Sequence, residues 1–219
     1  MFDELTLLRL LQLTDSALPI GTTAHSFGLE SMIADGFVTP CNFEQYLRDY
    51  MQESGLLDAV FCRSAHQLPK SDDPWFVKAW VRLNHEIGAR KYPRESREAS
   101  LTLGRRFLRL AAELLGSELG AIGAADSHHV AAFGLIAGMI GMDERPSILA
   151  WLHQSAMMQI SAAQRLMPLG QNAASAILWR LKPLLLDISK SESTGDCFTP
   201  LPETAAMRHS KLTVRLFIS

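Results

Sequence analysis

The chain has 219 residues, 47% of them hydrophobic, and a formal net charge of −2 at pH 7. This length allows one domain with a full core, and the near-neutral charge argues against non-specific binding to nucleic acid or an anionic membrane. The longest strongly apolar run, 130–142, is shorter than the roughly 18 residues that a membrane span needs, and the acidic start lacks the basic segment of a signal peptide.

Apolar residues recur at helical spacing along almost the whole chain. Within 101–115 the leucines and Phe107 fall on one face, and Arg105 and Arg109 fall opposite. No segment alternates as a strand does, so we expect an all-α, single-domain bundle (1–219) of about eight helices around a central glycine-rich helix, with a docked C-terminal tail. Between Pro and Gly breaks, the predicted helices are 3–16, 26–35, 42–66, 75–90, 95–116, 125–141, 146–167 and 171–187.

Two local patterns refine these elements. Asn42 is a suitable N-cap, and Gln45 stands three residues later, where a capping box would place it. Asp15 and Ser16 are interpreted as ending the first helix or capping the next turn. A catalytic triad of these two residues with His25 is disfavoured because no G-x-S-x-G elbow or strand accompanies them.

The predicted helix 125–141 carries Gly134, Gly138 and Gly141 among Ala, Ile, Leu and Met. Glycines at this spacing remove side chains from one stripe and let another helix approach closely. Each costs about 1 kcal/mol of helix propensity, which packing must offset. The pattern therefore predicts a buried central helix, with a cofactor groove as the alternative.

Histidines supply the candidate metal ligands, which are His128, His129 and His209. Adjacent helical residues point about 100° apart, so His128 and His129 cannot chelate one metal as an i, i+4 pair does. The pattern favours one packed and one exposed histidine. Because the chain has no HxxxH, HExxH or Cys/His cluster, no metal site and no tightly bound cofactor are predicted.

Motifs for catalysis and nucleotide binding are missing from the sequence. It contains neither GxxxxGK[ST] nor GxGxxG, so this chain is not expected to bind a nucleotide itself. A helical enzyme that uses His25 or His85 is an alternative without a supporting motif. Cys41, Cys62 and Cys197 form no CxxC pair, which suits a reducing cytoplasm.

The C-terminal segment 189–219 is predicted to begin as a Ser-, Thr- and Pro-rich loop and to end as a distinct tail, 205–219. The tail combines basic and apolar side chains, which are Arg208, His209, Lys211, Arg215, Leu212, Val214, Leu216, Phe217 and Ile218. Such an end would be disordered and would expose apolar surface unless it docked. From the residues alone, docking on the chain's own body and docking on a partner both remain open.

Several short motifs, in this order, resemble the urease accessory protein F (UreF) family. They are LQL at 11–13, DS at 15–16, LPIG at 18–21, HS at 25–26, GLE at 28–30, RE at 97–98, SL at 100–101, GR at 104–105, HH at 128–129, FG at 133–134, PLGQ at 168–171, MRH at 207–209 and RLF at 215–217. The chain departs from the family pattern at Thr22, Thr23, Ser210, Thr213 and Val214, in segments the family uses for partner contact.

The resemblance implies an all-helical, non-catalytic protein that forms a homodimer, binds a UreD/UreH-like accessory protein and recruits or regulates a UreG-like GTPase. The complex delivers nickel to apo-urease, so nickel is handled by the complex and not held tightly by this chain. A histidine-based nickel metallochaperone is the alternative. The residues expected to contact partners lie in the turn after the first helix and in the tail; they are Thr23, His25, Arg208, His209, Lys211, Arg215, Leu216 and Phe217.

Overall fold

The computed structural model describes residues 3–68, 74–116, 119, 122–123, 125–192, 197–209, 212 and 214–218. Within these residues every regular element is helical, which confirms the all-α prediction. The helices are α1 (Glu4–Leu13), α2 (Leu29–Ala34), α3 (Phe43–Tyr50), α4 (Leu56–Gln67), α5 (Pro74–Arg90), α6 (Arg94–Leu115), α7 (His129–Met139), α8 (Glu144–Leu166), α9 (Gln171–Lys190) and α10 (Pro200–Arg208). None of the described helices has the length and hydropathy to cross a membrane.

α7 is the central helix, and its residues 129–138 are all buried. Its most extensive contacts are with α4 and α6. Phe133 packs between Phe107 and Trp151, with ring centroids 6.0 and 5.4 Å away. At Gly134 an added Cβ would lie 2.4 Å from the Cys62 carbonyl oxygen, so only glycine allows α4 to come this close. The predicted buried, glycine-rich helix is confirmed.

The glycine stripe is shorter than predicted. Gly138 is buried within α7, but Gly141 lies beyond the helix, is exposed and has φ +84°. This left-handed conformation favours glycine in the turn that leads to α8. Gly141 therefore serves chain reversal, not helix packing.

The predicted helix 42–66 is interrupted by a π-helical turn, Met51–Gly55, which joins α3 to α4. Asn42 precedes α3, but the predicted capping box is wrong. The Asn42 side chain instead accepts from the Thr39 amide at 2.7 Å and donates to the Phe37 carbonyl at 3.0 Å. Gln45 donates to Asp49 on the next turn. Local turn contacts thus compete with helix capping at this site.

The C-terminal third contains a helix that periodicity did not reveal. α9 continues to Lys190, and α10 occupies part of the predicted loop and tail. A helix of nine residues is marginal by itself. Its buried residues Ala205 and Ala206 indicate that tertiary packing stabilises it.

Candidate partner-binding surface

The connection between α1 and α2 depends on unusual backbone conformations. Asp15 accepts a hydrogen bond from the amide two residues later, at 2.8 Å, and closes an Asx turn. Gly21 has φ +87°, which favours glycine, and Arg106 donates to the Ile20 carbonyl at 3.2 Å. The following 3-10 turn, residues 22–24, has Thr23 exposed at the surface.

The start of α2 supplies the docking site of α10. Gly28 has φ +90°, and an added Cβ there would lie 2.5 Å from the Pro202 carbonyl oxygen. The same position would be 3.2 Å from the Ala206 amide nitrogen. Glycine is therefore required twice at this residue, for its backbone conformation and for the close approach of α10.

Glu30 is the polar centre of this contact and is buried. One carboxylate oxygen lies 2.7 Å from His209 Nε2 and accepts from the Phe217 amide at 3.3 Å. The other accepts from the Leu216 amide at 2.6 Å. A buried carboxylate is stable only when its oxygens are paired, and all three of these partners belong to the C-terminal segment. One side chain of α2 thus holds the tail in place.

Phe217 is the apolar anchor of the tail. Its ring is buried, and the Arg165 guanidinium carbon lies 4.4 Å above the ring centroid. Arg165 also donates to the Thr23 carbonyl at 2.7 Å, and the Ile218 amide donates to the Ala24 carbonyl at 2.8 Å. The tail therefore docks on the chain's own body, which was one of the two alternatives left open by the sequence.

Docking leaves an apolar surface uncovered. Val214, Leu216 and Ile218 are 78%, 57% and 72% exposed, and Arg215 beside them is also exposed. Together with Thr23 these residues are called the tail patch. Contiguous exposed apolar side chains beside a charged one are typical of a protein-binding surface.

The structure divides the eight predicted contact residues into groups. The exposed ones are Thr23, Arg208, Arg215 and Leu216, and Arg208 pairs with Asp35 of the α2 end. His25, His209 and Phe217 are buried, so in this conformation they support the surface from beneath and cannot contact a partner directly. Lys211 lies outside the described residues.

His128 and His129 are both buried, so the expectation that one would be exposed is wrong. The His128 amide donates to Asn84 Oδ1 at 2.7 Å, and its Nδ1 lies 3.0 Å from Ser100 Oγ. α6 comes close here because Gly104 has no side chain; an added Cβ would lie 1.9 Å from the carbonyl oxygen of the residue before His128.

The environment of these histidines opposes a charged or metal-bound state. Burial, with the positive charge of Lys91 as a smaller cause, lowers the pKa of His128 and of His129 to about 3. The His129 ring packs edge-on against Trp151, with centroids 4.8 Å apart. His209 faces Glu30. Among the described residues, no three His, Cys, Asp or Glu side chains are grouped to hold a metal ion.

Two residues of this surface were not singled out from the sequence. Glu30 stands in the GLE motif at 28–30, and a carboxylate in a short apolar helix was the available signal of a buried polar contact. Arg165 lies in the middle of the chain, and nothing in its local pattern indicates that it stacks on Phe217. Its role comes from the fold alone.

Comparison with known proteins adds a family match. The family model for UreF matches residues 38–182. A urease accessory protein UreF from Paenarthrobacter aurescens is 33% identical over 226 residues, which cover 97% of this chain and 97% of the relative. Another from Lachnoclostridium phytofermentans is 29% identical over 97% of this chain and 98% of its own length.

The similarity extends to plants. Urease accessory protein F of Arabidopsis thaliana is 30% identical over 224 residues, which cover 95% of this chain and 90% of the plant protein. These alignments are longer than the segment 38–182 and therefore take in parts of both ends, where the surface described above is built.

Proposed function

The chain belongs to the UreF family of urease accessory proteins, and we propose that it is a non-catalytic scaffold of the complex that inserts nickel into apo-urease. Family membership gives it an accessory role in urease maturation. In the finer proposal it binds a UreD/UreH-like protein, recruits or regulates a UreG-like GTPase, and works in the cytoplasm, where its three free cysteines are suited to a reducing medium.

The observation that carries this proposal is the tail patch. Glu30 and Phe217 anchor the backbone of the tail, so the exposed side chains are held in place before a partner arrives. Preorganisation of this kind reduces the entropic cost of association. Leu216 and Ile218 provide apolar contact, and Arg215 provides a planar, multi-donor group for carboxylates or carbonyl oxygens.

The buried histidines favour the scaffold over the metallochaperone alternative. A nickel ligand must present an accessible, unprotonated nitrogen, and His128 and His129 are neutral but sealed in the core. His209 is paired with Glu30. In equilibrium dialysis against nickel we expect no stoichiometric binding at sub-micromolar concentration. Such binding, if lost in His209→Ala, would instead favour the metallochaperone.

The proposed homodimer is supported by the outer face of α1. Leu5, Leu8 and Leu11 of this helix are each more than half exposed, and two identical chains pair most simply through one self-complementary surface. Sedimentation at tens of micromolar should give about twice the 24.3 kDa mass of one chain. A monomer at that concentration would contradict the dimer.

The scaffold proposal is tested at Arg215. Arg215→Ala should weaken co-purification of the UreD/UreH-like partner by roughly tenfold or more, as loss of an interface anchor does, and should reduce urease activation in cells. The matched control is Arg109→Ala, which removes an exposed arginine from α6. Normal activation by a folded Arg215→Ala, Leu216→Ser variant would reject the tail patch as the binding surface.

A further inference from the structure

The turn between α1 and α2, residues 20–24, is fastened to the rest of the chain through its own backbone oxygens. Three carbonyl groups of this turn accept hydrogen bonds from distant segments: Ile20 from Arg106 at 3.2 Å, Thr23 from Arg165 at 2.7 Å and Ala24 from the Ile218 amide at 2.8 Å. The shape of the turn, and with it the position of Thr23 in the tail patch, therefore depends on contacts with α6, α8 and the tail.

The contact with Arg106 is matched by the residues of the turn. Gly21 follows the acceptor residue and has φ +87°, and an added Cβ there would lie 2.7 Å from Arg106 Nη1. Glycine thus allows both the backbone conformation and the approach of the guanidinium group. Ile20 and Thr22 are buried, 1% and 3% exposed. The core therefore holds their side chains, while Arg106 holds the backbone.

Arg106 extends from a rigid base. It belongs to α6, a helix of 22 residues, and the next residue, Phe107, is buried in the core. A hydrogen bond from a guanidinium group to a carbonyl oxygen is charge-assisted and stronger than one between neutral groups. The neighbouring Arg105 instead pairs with Asp126, 3.4 Å away. Of these two consecutive arginines, Arg106 is thus the one that contacts the turn at Ile20.

The charge of Arg106 also acts on the residue that follows the turn. Burial, with the positive charge of Arg106 as a smaller cause, lowers the pKa of His25. A positive charge nearby disfavours the protonated ring. The titration of His25 therefore gives an independent measure of whether Arg106 lies against this turn.

We propose that Arg106 is a positioning residue of the partner-binding surface. Its hydrogen bond to Ile20 fixes the turn, so that Thr23 is presented beside the docked tail and the Ala24 carbonyl stays in place for the Ile218 amide. Arg106 acts through the turn and not by touching the partner. Binding of a UreD/UreH-like partner to this surface rests on the proposed function, whereas the effect of Arg106 on the turn and the tail does not.

Amide hydrogen exchange of the full chain tests the effect on the turn. In Arg106→Gln the amides of Ala24 and Ile218 should exchange roughly fivefold faster, because a hydrogen bond that stabilises the turn is lost. The Ala132 amide, which donates to the His128 carbonyl in α7, should keep its rate. Equal acceleration of all three amides would indicate general destabilisation and overturn the proposal, as would unchanged exchange at Ala24 and Ile218.

Arg105→Gln is the matched control, since it removes the same charge from the neighbouring position of α6 and from a side chain that is 52% exposed. It should leave the exchange of Ala24 and Ile218 unchanged. In an NMR titration the pKa of His25 should rise in Arg106→Gln, because a positive neighbour is gone, and should stay the same in Arg105→Gln. Equal pKa values in the two variants would contradict the placement of Arg106 at the turn.

Co-purification with the UreD/UreH-like partner tests the consequence for binding. Arg106→Gln should weaken it by a similar factor, roughly fivefold, and Arg105→Gln should not. In Arg106→Lys the ammonium group still donates hydrogen bonds, so part of the loss should be recovered in both exchange and binding.

The combined outcomes separate positioning from the other roles of Arg106. Normal partner binding with a loosened turn would mean that binding does not need this shape, and would overturn the proposal. Lost binding with unchanged exchange would make Arg106 a direct contact and not a positioning residue. If the unmodified chain does not bind the partner, the proposed function fails and the binding part of this proposal with it, while the exchange rates still decide whether Arg106 fixes the turn.

Discussion

The central helix α7 and the C-terminal tail are both apolar segments, yet different forces hold them. α7 is enclosed by α4, α6 and α8, with ten consecutive buried residues and a helix contact that only Gly134 permits. The tail is held mainly by one buried phenylalanine, by hydrogen bonds to the Glu30 carboxylate and by one backbone hydrogen bond to Ala24. Close packing is sensitive to volume and to burial of charge, whereas the tail depends on a few directional contacts that single substitutions can remove.

Acid should produce the largest loss of stability, and this loss should arise at the two buried histidines that begin α7. The pKa of His128 and of His129 is about 3 in the folded chain and about 6.5 unfolded. Below pH 6.5 the unfolded chain therefore binds more protons, and stability falls as pH decreases toward 3. Each histidine should remove roughly 1.4 kcal/mol per pH unit, or about 4 kcal/mol for both by pH 5.

Urea unfolding at pH 7 and pH 5 measures this loss. His129→Phe keeps an aromatic ring beside Trp151 and should remove about half of the loss that His128 and His129 together cause, since one of these two buried groups is gone. Replacement of the exposed His85 by Asn should leave the loss unchanged. An unaltered pH dependence in His129→Phe would show that the core histidines do not control acid stability.

Overpacking should produce the next largest effect. In Gly134→Ala the new Cβ would meet the Cys62 carbonyl oxygen at 2.4 Å, so α4 and α7 must separate. We expect a net loss of about 1–3 kcal/mol, despite the gain of about 1 kcal/mol in helix propensity. Gly170→Ala is the control, because φ is −67° and no atom lies within 4 Å of the added Cβ. Thermal unfolding of both variants tests the prediction, and an equal change in melting temperature would contradict it.

A smaller and more local effect is expected at the tail. Glu30→Gln keeps the shape of the side chain but removes the charge that His209 and two tail amides contact. The loss should be about 1.5 kcal/mol, with the tail cleaved faster by limited proteolysis and the helical circular dichroism retained. Unchanged cleavage at the tail would contradict the role of Glu30 as its anchor.

The smallest effect should be at the surface pair between Arg208 and Asp35. Both side chains are partly exposed, and pairs of this kind contribute less than about 1 kcal/mol. Asp35→Asn should therefore shift the melting temperature by no more than about 2–4 °C. A shift in melting temperature as large as that of Glu30→Gln would mean that the exposed Arg208–Asp35 pair, and not the buried Glu30 carboxylate, holds the C-terminal segment.

Long helices were predictable because their periodicity extends over many turns. α5, α6, α8 and α9 begin within about two residues of their predicted starts. The short α10 was not predictable, since nine residues at a chain end carry little periodic signal and are stabilised by contact with Gly28. The capping box at Asn42 failed because two local turn contacts took its side chain.

The sequence by itself determined the helical class, the buried glycine-rich helix and the family, since each depends on local composition or on motifs read in order. The tertiary structure alone decided that both core histidines are buried, that the tail folds onto its own body, and that Glu30 and Arg165 hold it there. These features arise from contacts between residues distant in sequence. His128 contacts Asn84 and Ser100 on other helices, and the contacts that hold the tail join still more distant residues, such as Glu30 with Leu216 and Arg165 with Thr23. No local pattern encodes such pairings, because burial and hydrogen bonding at each site depend on which distant segment packs against it.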